Sequence, residues 1–99
     1  MYEMLVGLNV TDDEIYTAYR VAMKPILVQY GGGFSSDFKV SETLVPTENN
    51  DINRVFTIYF TDKTAMENFF SNPEYLAVKN KFFEKSVSTA TILSSYTKV

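Results

Sequence analysis

Ninety-nine residues, 45% hydrophobic and 15% aromatic, suffice for one domain spanning residues 1–99 around one core and leave no room for a second. Nine basic against twelve acidic residues give a net charge of −3, which offers nucleic acid no electrostatic footing. Without Cys or His the chain lacks disulfides, thiolate nucleophiles and the commonest general base and metal ligand, so no metal or other cofactor is expected.

The N-terminus, Met1-Tyr-Glu-Met-Leu-Val, carries an acid at once and no basic region ahead of an apolar one. It does not read as a signal peptide, and no apolar run approaches a membrane span, so a soluble cytoplasmic protein is expected. Tyr2 to Val10 alternates, with Tyr2, Met4, Val6, Leu8 and Val10 on one face and Glu3, Leu5, Gly7 and Asn9 on the other, as in a strand with one buried face. Thr11 then reads as an N-cap with Glu14 closing a capping box, and Asp12, Asp13 and Glu14 suit the positive end of a helix dipole better than a cation site. Ile15, Tyr19, Ala22, Ile26 and Tyr30 give that helix an apolar face, Pro25 is expected to kink it near Val21, and Gly31-Gly32-Gly33 ends it. The glycines lead out of a helix, whereas phosphate-cradling loops lead into one.

Phe34 to Leu44 reads as a second, weaker strand, and Pro46 to Asp51, including Glu48, Asn49 and Asn50, as a polar turn. Arg54 to Phe60 is the clearest strand, placing Phe56, Ile58 and Phe60 on one face and Val55, Thr57 and Tyr59 on the other. Thr61 or Asp62 caps the next helix, whose apolar Ala65, Met66, Phe69 and Phe70 are interrupted at Ser71-Asn72. Pro73 suits a first helical position and Asn72 the cap before it, so a further helix begins there and buries Tyr75, Leu76, Val78, Phe82 and Phe83. Val87 to Tyr96 closes the chain as a Thr- and Ser-rich strand.

The order β α β β α β predicts an α+β, ferredoxin-like fold: a four-stranded antiparallel sheet with the helices on one face. The helix-facing residues are expected to be Met4, Val6, Leu8, Phe34, Phe38, Phe56, Ile58, Phe60, Ala90 and Ile92. The other face, with Leu5, Gly7, Asn9, Val55, Thr57, Tyr59, Thr89, Thr91 and Leu93, is too apolar for water and too polar for an ordinary core, so a second copy of the chain is expected to cover it.

Several segments carry a resemblance to a family: the Tyr-containing first helix with its internal Pro25, the Gly31-Gly32 break, Arg54 before the third strand, and Phe69-Phe-Ser-Asn-Pro-Glu-Tyr75. Through them the chain resembles uncharacterised proteins, grouped as a domain of unknown function, in the dimeric α/β-barrel superfamily. The resemblance implies the fold of antibiotic-biosynthesis-type monooxygenases and muconolactone isomerases, with two sheets paired into a barrel and a pocket between sheet and helices. Fold alone does not carry an activity across.

Two groups of side chains are candidates for a ligand site. Asn9, Thr57 and Tyr59, with Thr89 and Thr91, share the open face and could orient a small carbonyl or phenolic ligand; the alternative is a polar-flecked dimer interface. Tyr19, Arg20 and Lys24 on the first helix, with Tyr75 facing Tyr19, form the second group; the alternative is a core with hydroxyls reaching the surface. Glu74 is the carboxylate placed to act as a base, although its helix-start position accounts for it equally. Lys79, Lys81 and Lys85 could bind an anion, although cations near a helix C-terminus are expected in any case. The leading expectation is a homodimeric small-molecule-binding protein. Its rivals are a cofactor-independent monooxygenase or isomerase acting on a small phenolic or lactone-like compound, with Tyr59 or Tyr19 and Asn9 positioning it, and a dimer that is purely structural.

Overall fold

Alternating apolar side chains in Tyr2–Val10 and Arg54–Phe60 make the two central strands, β1 and β3, which pair antiparallel from Tyr2 opposite Phe60 to Leu8 opposite Arg54. A computed structural model describes residues 1–48 and 50–99. In chain order the remaining elements are α1 (Asp13–Gln29), β2 (Gly33–Lys39), α2 (Lys63–Ser71), α3 (Pro73–Val78), a π-helical turn (Lys79–Phe83), α4 (Glu84–Ser86) and β4 (Val87–Thr97). The four strands form one antiparallel sheet in the order β2-β3-β1-β4. The helices pack on the side carrying Met4, Leu8, Phe56, Ile58 and Phe60, all buried. This is the ferredoxin-like α+β arrangement. Phe60 and Phe69 are fully enclosed where β3 meets α2, and each contributes about 2–3 kcal/mol by leaving water.

Helix α1 begins one residue later than the capping-box pattern suggests. The Thr11 N–H donates to the Ser86 carbonyl at 2.7 Å, so Asp12 becomes the cap and accepts from the Ile15 N–H at 3.0 Å. Its inward face is Tyr16, Tyr19, Met23, Ile26 and Leu27 rather than the stripe through Ile15 and Ala22. The helix runs through Pro25, with Val21 on its solvent side. It ends as expected: Gly32 N–H donates to Leu27 and Gly31 N–H to Val28, with Gly31 at φ +67°. A Cβ on Gly31 would meet the Thr61 hydroxyl.

Strand β2 stops at Lys39, short of Leu44, because its alternation breaks. A bulge between Phe34 and Ser36 reverses the facing of the residues beyond it, so Asp37 lies opposite Phe56 on the helical side and Phe38 opposite Val55 on the open side. Phe38 is therefore 59% exposed instead of packed under the helices. In β4 a similar irregularity sets Ile92 opposite Val6 but Ser94 opposite Leu5, leaving Leu93 as the extra residue. Ala90 and Ile92 do point to the helical side, but no helix covers them and Ile92 is 62% exposed. Of the turn read at Pro46–Asp51, Thr47 and Asn50 form an isolated bridge, Glu48 has φ +55°, and Asn49 lies outside the described residues.

Asp62 caps α2 and accepts from the Ala65 N–H at 2.7 Å. Asn72 caps α3, accepting from the N–H groups of Glu74 at 2.8 Å and Tyr75 at 3.2 Å, and its amide donates to the Tyr30 hydroxyl at 2.8 Å. The helix does not end at Val78. It widens into the π turn and continues to Ser86, and Leu76, expected in the core, faces outward at 44% exposure. Val78, Phe82 and Phe83 pack against the core as expected, and Leu76, which precedes the π turn, is the residue of that stripe that faces out.

Candidate functional site

Between the helical face of the sheet and the helices lies a cavity of about 410 Å³. Its walls are mostly apolar, among them Met4, Val6, Met23, Ile58, Phe70 and Phe83. Ala90 and Ile92 border it where β4 is uncovered, so it opens to solvent on that side. The polar groups on its wall are Tyr2, Tyr16, Tyr19, Arg20, Tyr75, Lys79 and Ser95, with no carboxylate among the described residues there.

Tyr19 from α1 and Tyr75 from α3 meet inside the wall with hydroxyls 2.9 Å apart. The Asn72 cap fixes where α3 starts and hence where Tyr75 points; its ring packs 4.5 Å from Phe69, and Tyr19 packs 5.1 Å from Phe83. Burial pushes both phenols above their ordinary range, Tyr19 far above it, so they stay protonated and act as hydrogen-bond donors and acceptors, not as bases. Two phenolic protons and one mutual hydrogen bond leave one proton to offer elsewhere.

Arg20 lies on the same wall under heavy constraint. Its Nε donates to the Tyr16 hydroxyl at 2.7 Å, its Nη1 and Nη2 donate to Asp37 at 3.2 and 3.4 Å, and its guanidinium lies 3.9 Å above the Phe34 ring. Asp37 also accepts two 2.8 Å bonds from Arg54, a bidentate pair that, with Arg20 behind it, holds the carboxyl below the usual aspartate range. The β2 bulge makes this cluster possible by turning Asp37 to the helical side.

The sheet separates the two groups of candidates. Tyr19, Arg20 and Tyr75 line the cavity, whereas Asn9, Thr57 and Tyr59 lie on the opposite face and do not touch it. There the Asn9 amide donates to the Asp51 carbonyl at 3.1 Å and ties down the loop before β3; Thr57 shares a 2.6 Å hydrogen bond with Ser35; and the Tyr59 ring lies across Gly33, where a Cβ would collide with it. Glu74 is exposed at the start of α3 and Lys24 is exposed on α1; neither borders the cavity.

Two further residues stand out. Glu3, only 3% exposed, points to the open face from the doubly paired strand β1, where it accepts from Ser35 and from the Tyr96 hydroxyl at 2.6 Å, with the Lys98 ammonium 3.5 Å away. Those donors hold its carboxyl below the ordinary glutamate range, Ser35 first and Tyr96 next. An acid at an interior position of a central strand was the available signal. Lys79 lines the cavity from the π turn, and nothing in an α-helical pattern announces that turn. Among the described residues no group of three or more acidic side chains could hold a metal ion, and no helix is long and apolar enough to cross a membrane.

Sheet, helices and the cavity between them define the class: a ferredoxin-like protein with the fold of antibiotic-biosynthesis-type monooxygenases. Residues 4–96 match a domain of unknown function, DUF1330, and the chain belongs to that family. Among solved structures it is similar to a protein of unknown function from Rhodopseudomonas palustris (TM-score 0.78, 16% identity, 99% of this chain and 82% of that one). It is also similar to a dabb family protein with a ferredoxin-like fold from Mesorhizobium loti (TM-score 0.67, 16% identity, covering 99% and 96%). A putative antibiotic biosynthesis monooxygenase from Nitrosomonas europaea superposes with a TM-score of 0.65 at 10% identity, covering 100% and 99%. Among curated proteins no sequence match is found. At these identities the structural likeness speaks for the fold alone.

Proposed function

We propose that the chain is a homodimeric small-molecule-binding protein, with the ligand held in the cavity between sheet and helices and the open face of the sheet covered by a second copy. The observation that carries this reading is the cavity itself: about 410 Å³, walled by apolar side chains and reached by the Tyr19–Tyr75 hydroxyl pair. Such a volume and lining suit a compact, largely apolar ligand with one or two oxygen atoms. Binding is favoured over catalysis because, among the described residues, the wall holds no carboxylate or imidazole and its buried phenols stay protonated, so the usual proton acceptors are missing. A cofactor-independent oxygenase on this fold is the second reading, supported by the likeness to the putative monooxygenase from Nitrosomonas europaea.

Native mass spectrometry of the purified protein tests the first reading. The expected spectrum is a dimer carrying a small molecule of a few hundred daltons that dissociates on activation. A monomer with no adduct, which also fails to take up an apolar fluorophore, would overturn it.

A further inference from the structure

The protein as a whole is acidic, with a net charge of −3, yet among the described residues the cavity wall bears two cations and no anion. Of those cations Arg20 is already engaged, its donors directed at Tyr16 and Asp37. Lys79 is in no ion pair and no side-chain hydrogen bond among the described residues, although it lies on the wall. Helix-dipole complementarity does not explain it, because the helical path continues through the π turn and stops only at Ser86. Lys79 thus lies inside the path rather than at its end. It is the first residue of the π turn, and π insertions inside helices are rare and frequently mark functional positions.

We propose that the cavity is selective for a monoanionic amphiphile, a carboxylic acid on an aromatic or short aliphatic body, whose carboxylate meets the Lys79 ammonium. This rests on the cavity being a ligand site. The geometry gives the ligand two unlike ends. Lys79 is half-buried, so the acid end stands where the cavity meets solvent and keeps part of its hydration. The body lies among Met23, Ile58, Phe70 and Phe83, and the nearly enclosed Tyr19–Tyr75 pair offers its remaining phenolic proton to an oxygen on the body. Without an unengaged cation, such a wall would favour a neutral ester over the matching acid, because the carboxylate must give up hydration. A preference for the acid therefore reports on the charged group.

The test uses 2-naphthoate and its methyl ester, titrated by their own fluorescence into the full chain at neutral pH and moderate salt. The wild-type protein is expected to bind the acid about tenfold or more tightly than the ester, as a charge-assisted hydrogen bond allows. Lys79→Met, which keeps the apolar stem, is expected to lose that preference while binding the ester as before, and Lys79→Arg to retain it. Equal binding of acid and ester by the wild type, or an unchanged preference in Lys79→Met, overturns the inference and leaves the cavity reading standing. Failure of both probes to bind overturns the two together.

Discussion

The Tyr19 and Tyr75 hydroxyls are each other's hydrogen-bond partner on two nearly buried side chains, so removing one takes away the other's partner within the protein. Tyr19→Phe and Tyr75→Phe are each expected to cost about 1–3 kcal/mol, the penalty for orphaning a buried polar group. The double substitution should cost clearly less than their sum, as read from urea unfolding; strict additivity would mean that the 2.9 Å contact contributes nothing. Glu3 gives a pH signature of known sign. Its folded value lies below 4.5, so near and below that value the unfolded chain binds more protons than the folded one. The stability it contributes is fully present above about pH 4.5 and is lost as pH falls through the depressed value. Thermal midpoints followed from pH 6 to 3 should fall less steeply in Glu3→Gln than in the wild type, and parallel curves would remove Glu3 from the acid response. Glu3 was visible in the sequence only as the polar member of an alternating strand. Its burial depends on Tyr96, 93 positions away, which no local pattern can reveal.

Among the elements, the break between α2 and α3 was the most legible. Asn72-Pro73 combines a residue that caps with one that starts a helix, and both functions are local chemistry. Asn72→Ala is expected to cost about 1–2 kcal/mol in denaturant unfolding, since it removes a cap and orphans the Tyr30 hydroxyl. Asn72→Asp should cost under about 0.5 kcal/mol, because a carboxylate still caps and can accept from Tyr30. A loss as large as that of the alanine variant would show that the amide, not the cap, matters. Strands β1 and β3 were equally readable because they alternate without interruption. The extents of β2 and β4 were not, because a bulge changes facing without changing composition. The π turn hid for the same reason: Leu76 to Phe83 fits an α-helical stripe well enough that nothing flags the added residue.

Taken whole, the molecule has one sheet face covered by helices except along β4 and one bare face, and the bare one is unusually apolar for a surface. Phe38 is 59% exposed there, with Tyr96 at 38% beside a face that also carries Leu5, Val55 and Tyr59. If a second copy covers that face, Phe38→Lys should dissociate the dimer in sedimentation velocity at micromolar concentration, while the monomer keeps its circular dichroism spectrum. A dimer of unchanged affinity would place the contact elsewhere. Phe38 serves better than Leu93, whose place in the bulge removes it from the regular alternation. The architecture could be inferred because element order and handedness leave few arrangements. Of the cavity wall, the Tyr19–Tyr75 pairing could be read from the inward faces of two helices, whereas the Arg20–Asp37–Arg54 cluster could not, because it depends on the β2 bulge.

The two bulges act as punctuation. In β2 the inserted residue hands Asp37 to the arginines instead of Phe38; in β4 it hands Tyr96 to Glu3. Were Leu93 instead paired opposite Leu5 in unbroken register, Ser95 would stand opposite Glu3 and Tyr96 would turn to the helical side, leaving a sequestered carboxylate facing no phenol. In this chain a single supernumerary residue on an outer strand decides whether an acid at its centre is tolerable.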